Sequence, residues 1–115
     1  MSEIDLVTGG AGFVGSHLVE ALVASGRKVR ILDDLSTGRI DNLSFVKSDV
    51  DFIEGSILSE DDLMKASSGV DNVYHLAAVA SVQKSMEQPL LSHEICATGT
   101  LKVLQAAKLN SCKRL

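Results

Sequence analysis

The chain has 115 residues, a formal net charge of −4 and 45% hydrophobic residues, with no tryptophan and only 3% aromatic residues. This length predicts one domain, and the composition predicts an aliphatic core of the kind found where parallel strands are buried between helices. The negative charge argues against nucleic-acid or anionic-membrane partners, and no apolar run approaches the roughly 18 residues that span a bilayer. The start of the chain lacks a signal-peptide pattern, and Cys96 and Cys112 lack metal-binding spacing, so we expect a cytoplasmic protein.

The first predicted elements are a strand at Ile4–Thr8, a glycine-rich turn and a helix. The turn, Gly9-Gly10-Ala11-Gly12-Phe13-Val14-Gly15, fits both G-x-G-x-x-G and G-x-x-G-x-x-G. This order is typical of a dinucleotide-binding unit, in which the glycines allow a tight turn, the close approach of a pyrophosphate and close packing of the helix. The phosphates would lie at the positive N-terminal end of the helix. In the alternative interpretation, the turn only needs small residues to enter a helix.

The helix is predicted at Phe13–Ser25 and the second strand at Lys28–Leu32. Gly26 fits the residue that follows a helix end. Helical spacing predicts that one face of the helix packs on the sheet. The residues of that predicted face are Val14, Leu18, Ala21, Leu22 and Ser25.

Two carboxylates, Asp33 and Asp34, follow the second strand. Asp33 lies about twenty residues beyond the glycine turn, where a carboxylate can accept hydrogen bonds from the adenosine ribose hydroxyls. A carboxylate there would also repel a 2′-phosphate, which favours NAD over NADP. Two alternatives remain: Asp33 only caps a turn at the strand end, or Arg39 in the following polar loop binds a 2′-phosphate.

The second half of the chain continues the alternation of strands and helices. After a polar loop at 35–39 and an irregular connection at 42–49, a third strand is predicted at Val50–Glu54, followed by a helix at Asp61–Ser67. Ser59 or Glu60 would lie at the start of this helix. The side chains expected to face the sheet are Leu63, Met64 and Ala66.

A fourth strand is predicted within Val70–Ala78, and it ends in small residues. A long helix is predicted at Pro89–Lys108, with the proline near its first turn. This helix is apolar on more than one side, so we expect neighbours to cover it. The whole order predicts a Rossmann-like α/β fold, a doubly wound parallel sheet with strand order 3-2-1-4. The glycine turn and Leu76–Ala78 would then meet at the switch point.

Several blocks of this sequence resemble the extended short-chain dehydrogenases/reductases, the NAD-dependent epimerase/dehydratase family. The blocks lie at 8–18, 32–38, 52–57, 75–78 and 99–107, so the resemblance covers essentially the whole chain. The block Leu32-Asp33-Asp34-Leu35-Ser36-Thr37-Gly38 is similar to the UDP-glucose 4-epimerase branch. The resemblance implies an N-terminal NAD-binding domain over residues 1–115.

The resemblance also implies where each part of NAD would lie. Gly9, Gly12, Phe13 and Val14 would contact the pyrophosphate, Asp33 the ribose, Ser36 and Gly38 the ribose and adenine, Ser56 and Ile57 the adenine, and Leu76–Ala78 the nicotinamide side. The family usually has Asp in place of Ser56 and Asn in place of Cys96. The predicted cofactor-binding residues are Gly9, Gly12, Phe13, Val14, Gly15, Asp33, Asp34, Ser36, Gly38, Ser56, Ile57, Leu76, Ala77 and Ala78.

The catalytic block of the family is missing from this sequence. In the family, a Ser/Thr after the fifth strand and a later Tyr-x-x-x-Lys act on the sugar hydroxyl while NAD takes and returns hydride. Here the sole tyrosine, Tyr74, lies within the fourth predicted strand, and Ala78 stands where the lysine would be. We therefore predict no catalytic residue, no metal site, and a chain truncated after its fourth strand and inactive alone. His75, a strand residue among apolar neighbours, is predicted to be structural.

The predicted function is the NAD-binding portion of a nucleotide-sugar epimerase, an isomerase similar to UDP-glucose 4-epimerase. The cofactor would be NAD, and a nucleotide sugar would bind only to a full-length version. One alternative is the front end of a related dehydratase or decarboxylase. Another is a stand-alone NAD(H)-binding or redox-sensing module. The open edge of the fourth strand and the uncovered last helix predict self-association.

Overall fold

A parallel sheet of four strands forms the centre of the molecule, in a computed structural model that describes residues 3–78 and 82–115. The strands are β1 (Ile4–Thr8), β2 (Lys28–Asp33), β3 (Val50–Glu54) and β4 (Asn72–His75). Their order is β3-β2-β1-β4, and all three pairings are parallel, which confirms the predicted topology. Thr8 is in register with Leu32 of β2 and His75 of β4. The carboxyl ends of the three strands therefore lie together at one edge.

Helices cover both faces of this sheet. They are α1 (Phe13–Ala24), α2 (Glu60–Ser67), α3 (Val82–Glu87), α4 (Pro89–His93) and α5 (Gly99–Leu109). A π-helical turn, Glu94–Thr98, joins α4 to α5, so the single long helix predicted from the sequence is interrupted at its middle. Helix α3 was not predicted. The connection predicted as irregular contains two short 3₁₀ turns, Ile40–Leu43 and Lys47–Asp49.

The alternation of side chains along β1 and β2 divides the apolar residues between two clusters. Val7 and Ile31 point to the face that α1 covers, and Leu6 and Leu32 point to the face that α2 and α5 cover. The α1 cluster contains Val7, Ala11, Val19, Leu22, Val29, Ile31, Leu43 and Val46. The other cluster contains Leu6, Leu32, Ile57, Leu63, Ala66, Val70, Val73, Val103, Ala106 and Ala107.

The face of α1 that packs on the sheet differs from the predicted one. Its buried residues are Gly15, Ser16, Val19 and Leu22, whereas Val14 is 66% exposed and Ala21 and Ser25 are exposed. A Cβ at Gly15 would overlap the carbonyl oxygen of Gly9, so this small residue lets the helix lie directly on the turn. The contact at Gly15 determines which face of α1 is buried. Because α1 is apolar on most sides, the spacing of its apolar residues does not predict that face.

A further packing prediction, for α2, was wrong. Met64 of α2 is 41% exposed, and the face of α2 that packs inward consists of Leu63, Ala66 and Ser67. The last helix is covered on one side only, because Leu90, Leu101 and Leu104 are 86%, 56% and 45% exposed, which agrees with the expectation of an uncovered flank and not with complete cover by neighbours. The buried residues of α5 are Gly99 and the stripe of Val103, Ala106 and Ala107.

A polar network lies at the opposite, amino end of the strands. The Asp5 carboxylate is fully buried, binds the Arg27 guanidinium and accepts a hydrogen bond from Asn72 Nδ2 at 2.9 Å. The guanidinium of Arg27 and the ammonium of Lys113 lower the pKa of Glu3 to about 2. Residue Arg114 forms a parallel bridge to Asn72 on the outer side of β4, so the last residues continue the sheet in the same direction. Among the described residues, no helix is long and apolar enough to cross a membrane.

Candidate functional site

A cavity of about 320 Å³ lies at the carboxyl ends of the strands, at the switch point between β1 and β4. Ligands of open α/β sheets bind in this position. Ten of the predicted cofactor residues line it: Gly9, Gly12, Asp33, Asp34, Ser36, Ser56, Ile57, Leu76, Ala77 and Ala78. Phe13, Val14, Gly15 and Gly38 lie beside it without lining it. Contact of any of these residues with a cofactor stays a prediction.

The glycine turn brings backbone to the cavity at positions where a side chain would not fit. Gly9 has a φ of +72°, and its amide donates to the Leu32 carbonyl at 2.9 Å. A Cβ at Gly9 would lie 2.9 Å from the Ala77 amide nitrogen, so the turn packs directly against the end of β4. Gly15 closes the turn from the helix side. These glycines leave the bare backbone that close approach of a pyrophosphate requires.

The N-terminus of α1 opens beside this turn. Gly12 is its N-cap and provides no side-chain hydrogen bond, and the first turn contains no acidic residue. The amides of the first helical residues, Phe13 and Val14 among them, lack intrahelical acceptors and carry the positive end of the helix dipole. The side chains of Phe13 and Val14 are 77% and 66% exposed, so they leave this end accessible. The free amides at the N-terminus of α1 therefore favour the binding of an anion.

Asp33 has a second task in the fold, and the turn-capping alternative considered from the sequence anticipated part of it. Its carboxylate is 7% exposed; Oδ2 accepts a hydrogen bond from the Ala11 amide at 2.9 Å and Oδ1 accepts one from the Leu35 amide at 2.8 Å. The carboxylate therefore fixes the glycine turn and the loop after β2 together. Each oxygen keeps a further acceptor site, which is available to a ribose hydroxyl. Gly38 lies close enough that a Cβ would be 3.0 Å from Asp33 Oδ2.

The neighbouring polar groups differ in exposure. Asp34 is exposed and accepts a hydrogen bond from the Ser36 amide at 2.9 Å. Arg39, the alternative ligand for a 2′-phosphate, has an exposed side chain and donates its backbone amide to the Ala11 carbonyl at 3.0 Å. Its guanidinium does not line the cavity.

The β3 end of the cavity is shaped by the start of α2. The Ser56 amide donates to Asp62 Oδ2 at 3.0 Å, and the Ser56 hydroxyl accepts from the Leu58 amide at 3.1 Å. Ile57 is 6% exposed and packs against Gly99, where a Cβ would lie 2.5 Å from its Cδ1 atom. The sequence placed Ser56 and Ile57 here but did not identify Asp62, which positions them.

The β4 end of the cavity is held by side-chain hydrogen bonds. Thr8 Oγ1 accepts from the amides of Leu76 at 3.0 Å and Ala77 at 3.2 Å, and it lies 2.7 Å from His75 Nδ1. His75 Nε2 lies 3.0 Å from Thr100 Oγ1 in α5. Burial lowers the pKa of His75. The sequence identified His75 as structural, but it gave no sign of its two hydroxyl partners.

A second wall of the cavity was not predicted, because α3 was not predicted and the spacing in the predicted long helix did not show that its first turns face the cavity. Lys84, Gln88, Leu91, Ser92 and Ile95 line the cavity from α3, α4 and the π-helical turn. Lys84 contributes a cationic side chain to a lining that also contains Asp33 and Asp34. Ser92 is buried, with 9% of its surface exposed.

Other candidate residues lie elsewhere. Tyr74 lines a separate depression at the amino end of the sheet, together with Glu3 and Arg27. Cys96 and Cys112 form no disulfide with each other. Within residues 3–78 and 82–115, no group of three or more potential metal-binding side chains comes together. The cavity at the switch point is the place where most of the predicted cofactor-binding residues come together.

The chain matches a known protein family and is similar in sequence to several known proteins. Residues 6–115 match the family described as GDP-mannose 4,6 dehydratase. The chain is 39% identical over 113 residues to UDP-glucose 4-epimerase of Mycolicibacterium smegmatis, which covers 96% of this chain and 36% of that protein. It is 38% identical over 102 residues to UDP-N-acetyl-alpha-D-glucosaminuronate decarboxylase of Bacillus cytotoxicus, which covers 89% of this chain and 32% of that protein.

Solved structures agree in fold. dTDP-glucose 4,6-dehydratase from Streptomyces venezuelae, solved with NAD bound, superposes with a TM-score of 0.91 and 34% identity over 96% of this chain and 37% of that one. UDP-glucose 4-epimerase from Thermus thermophilus, in complex with NAD, gives a TM-score of 0.84 and 38% identity over 94% of this chain and 34% of that one. The chain spans about a third of the length of these relatives. It belongs to the GDP-mannose 4,6-dehydratase family of NAD-dependent extended short-chain dehydrogenases/reductases and corresponds to the N-terminal portion of its relatives.

Proposed function

We propose that this chain is the NAD-binding portion of a nucleotide-sugar epimerase similar to UDP-glucose 4-epimerase. One observation carries the proposal: the glycine turn, the uncapped N-terminus of α1 and the Asp33 carboxylate meet at one cavity at the switch point. An anion-binding helix end next to an acceptor for ribose hydroxyls matches the two chemically distinct parts of an adenosine diphosphate.

The residues present fit NAD in detail. Gly9 and Gly12, with the amides of Phe13 and Val14, would hold the pyrophosphate, and Asp33 would accept hydrogen bonds from the ribose hydroxyls. Ser56 and Ile57 would lie against the adenine, and Leu76, Ala77 and Ala78 against the nicotinamide. When bound, NAD supplies a hydride acceptor. The chain itself contributes binding and orientation, and the negative charge of Asp33 disfavours the 2′-phosphate of NADP.

Two other functions compete with epimerisation. The 38% identity to a decarboxylase and the fold match to a dehydratase support a front end shared by several nucleotide-sugar enzymes. A stand-alone NAD(H)-binding or redox-sensing module is a third possibility of a different class. The gene sequence beyond the codon for Leu115 separates the enzymes from the module: a downstream Tyr-x-x-x-Lys block supports an enzyme, and a stop codon supports the module.

Calorimetric titration with NAD, NADH and NADP tests the cofactor site directly. We expect NAD to bind and Asp33→Asn to weaken it about tenfold or more, because charged hydrogen bonds contribute about 1.5–3 kcal/mol. The affinity for NADP should fall less, because the same change removes the repulsion between the carboxylate and the 2′-phosphate. Asp41→Asn is the matched control: it makes the same charge change at an exposed position outside the cavity. Equal losses for NAD and NADP would contradict the role of Asp33.

Self-association is part of the same proposal. Leu90, Leu101 and Leu104 expose 86%, 56% and 45% of their surface on the helices that end the chain, and such apolar surface favours association. Sedimentation velocity at increasing concentration should show dimers or larger species, and Leu101→Lys with Leu104→Lys should shift the protein towards monomer. A wild-type protein that stays monomeric at all concentrations would remove this part of the proposal.

A further inference from the structure

A chain of hydrogen bonds connects the cavity wall to the helices behind it. The amides of Leu76 and Ala77 donate to Thr8 Oγ1, which lies 2.7 Å from His75 Nδ1. On the other side of the ring, His75 Nε2 lies 3.0 Å from Thr100 Oγ1, and the Thr100 hydroxyl donates to the Cys96 carbonyl at 2.6 Å. Six groups therefore form one continuous path, from β1, from β4 with the two residues after it, and from the helical segment that runs from Pro89 to Leu109.

The direction of each proton in this path follows from the groups at its two ends. Thr8 Oγ1 accepts from two backbone amides, which can only donate, so its own proton is left for His75 Nδ1. At the far end, the Cys96 carbonyl can only accept, so the Thr100 proton points to it. Thr100 Oγ1 must then accept from His75 Nε2. The neutral imidazole with its proton on Nε2 satisfies every group.

A protonated imidazole does not fit the same path. A proton on Nδ1 would face the Thr8 hydroxyl, whose acceptor sites are already taken by Leu76 and Ala77. If Thr8 Oγ1 keeps both amide bonds, its own proton has no acceptor, because Nδ1 is now a donor. If Thr8 Oγ1 accepts from Nδ1 instead, the amides of Leu76 and Ala77 lose Thr8 Oγ1 as their acceptor. Leu76 has a substitute, because its amide also donates to the Thr8 carbonyl at 3.1 Å, whereas the amide of Ala77 depends on the hydroxyl.

The groups held by this path border the cavity. Leu76 and Ala77 line it, and Gly9 packs on Ala77 so closely that a Cβ would be 2.9 Å from its nitrogen. At the other end, Thr100 follows Gly99, which packs against the cavity residue Ile57. A change at the imidazole therefore reaches both the glycine turn and the β4 end.

We propose that His75 is a positioning residue of the dinucleotide site: in its neutral form, with the proton on Nε2, it holds Thr8 and thereby the Leu76–Ala77 backbone in the position that binds the cofactor. This inference rests on the proposed NAD site. It predicts that protonation of His75 weakens dinucleotide binding. The imidazole acts through Thr8 and touches no reacting atom.

The surroundings of the ring support this behaviour. The groups that contact it are the hydroxyls of Thr8 from β1 and Thr100 from α5. Charged groups on the same elements are engaged elsewhere: Asp5 binds Arg27 at the far end of β1, and Lys102 donates to the Leu58 carbonyl at 2.8 Å. The remaining titratable side chains of the helical segment are all exposed, as is Tyr74 on β4. They are His93, Glu94, Cys96 and Lys108.

Burial lowers the pKa of His75 from its ordinary 6.5. The unfolded chain therefore takes up this proton at a higher pH than the folded chain does. The contribution of the neutral ring to stability is complete above pH 6.5 and is lost as the pH falls through the folded pKa. Dinucleotide affinity is expected to fall over the same acidic range.

The test measures NAD affinity between about pH 4.5 and pH 8 by calorimetry, for the wild type, His75→Asn and the control His93→Asn. Asparagine places a non-titrating acceptor near the Nδ1 position. We expect wild-type and His93→Asn affinity to fall by up to tenfold per pH unit at the acidic end. His75→Asn should stay within about threefold of its pH 8 affinity. A flat wild-type profile, or the same acid loss in His75→Asn, would overturn the proposal.

Nuclear magnetic resonance without cofactor separates this proposal from the proposed function. Ring ¹⁵N shifts should identify the Nε2-protonated tautomer, and the Ala77 amide resonance should move on acidification in the wild type but not in His75→Asn. Thr100→Val should disturb the tautomer, and Thr100→Ser should restore it. An Nδ1-protonated ring would overturn the positioning role even if NAD binds. Absence of NAD binding with the expected tautomer and amide response would overturn the NAD site instead.

Discussion

At the glycine-turn end of the cavity, backbone atoms determine the geometry, whereas at the β4 end hydroxyl and imidazole groups determine it. Gly9 and Gly15 lie where a Cβ would overlap neighbouring backbone, and the Asp33 carboxylate binds two backbone amides there. At the β4 end, the Leu76–Ala77 backbone depends on Thr8, His75 and Thr100. At the glycine-turn end, stability should therefore be sensitive to added atoms. At the β4 end, it should be sensitive to the loss of hydroxyl groups and to pH.

The largest effect is expected from Gly15→Ala. The new methyl group would overlap the Gly9 carbonyl oxygen and lie 2.9 Å from Gly10 Cα, both of them backbone atoms that cannot rotate away. We expect a net loss of about 2 kcal/mol or more in the free energy of unfolding, measured by urea denaturation.

Gly12→Ala is the matched control for Gly15→Ala. Its Cβ would lie 3.3 Å from the Gly9 carbonyl oxygen, and the φ of −76° is open to alanine. The stability loss should be about 1 kcal/mol or less, the typical cost of alanine at an N-cap. NAD affinity should still fall, because the methyl group enters the cavity lining. Equal unfolding midpoints for the two variants would contradict a backbone-determined turn.

A middle-sized effect is expected from Thr8→Val, which keeps the shape and removes the hydroxyl. The Ala77 amide and His75 Nδ1 then lose their partner, so the free energy of unfolding should fall by about 2 kcal/mol. Hydrogen exchange should accelerate more at Ala77 than at Leu76, whose amide keeps the Thr8 carbonyl. Thr8→Ser retains the hydroxyl, so its free energy of unfolding should fall by less than about 1 kcal/mol. Similar exchange at both amides would show that the hydroxyl does not hold Ala77.

The smallest effect is expected from Ser56→Ala at the β3 side of the cavity. The Leu58 amide loses the Ser56 hydroxyl, but the Ser56 amide keeps its bond to Asp62. Thermal denaturation should show a loss of about 0.5–1 kcal/mol, and NAD affinity should change by less than about threefold. Asp62→Asn is the comparison variant, because it weakens the acceptor of the Ser56 amide. It should lower the free energy of unfolding more than Ser56→Ala does. A larger loss for Ser56→Ala would mean that its side chain, rather than the backbone, holds this side.

The sheet and the adenosine side of the site were predictable from sequence because they depend on local signals. Short apolar runs between turn residues located β1 and β3 with their observed ends and β2 to within one residue, since β2 ends at Asp33 and was predicted to end at Leu32. Alternation with helices gave the strand order. Asp33 was placed in the cavity by its distance from the glycine turn.

The remaining features depend on contacts between distant residues, which periodicity does not encode. Helix α1 is apolar on most sides, so only the close contact at Gly15 decides that Val14 is exposed. The partnership of Thr8, His75 and Thr100 joins residues up to 92 positions apart, through bonds separated by 67 and 25 residues. Helix α3 has only six residues, which are too few for a helical period to be distinctive in the sequence.

The π-helical turn at Glu94–Thr98 has a consequence for how one helical segment serves two surfaces. Each residue of an α-helix advances by about 100°, and a π-turn inserts one residue without adding rise, which rotates everything after it relative to everything before. Leu91 and Ile95 thereby line the ligand cavity, while Val103, Ala106 and Ala107 face the core. Deleting one residue from this turn would regularise the helix and bring the two surfaces out of phase, even though it restores the ordinary i→i−4 hydrogen bonds. Selection on this segment should therefore act on its residue count as well as on its side chains.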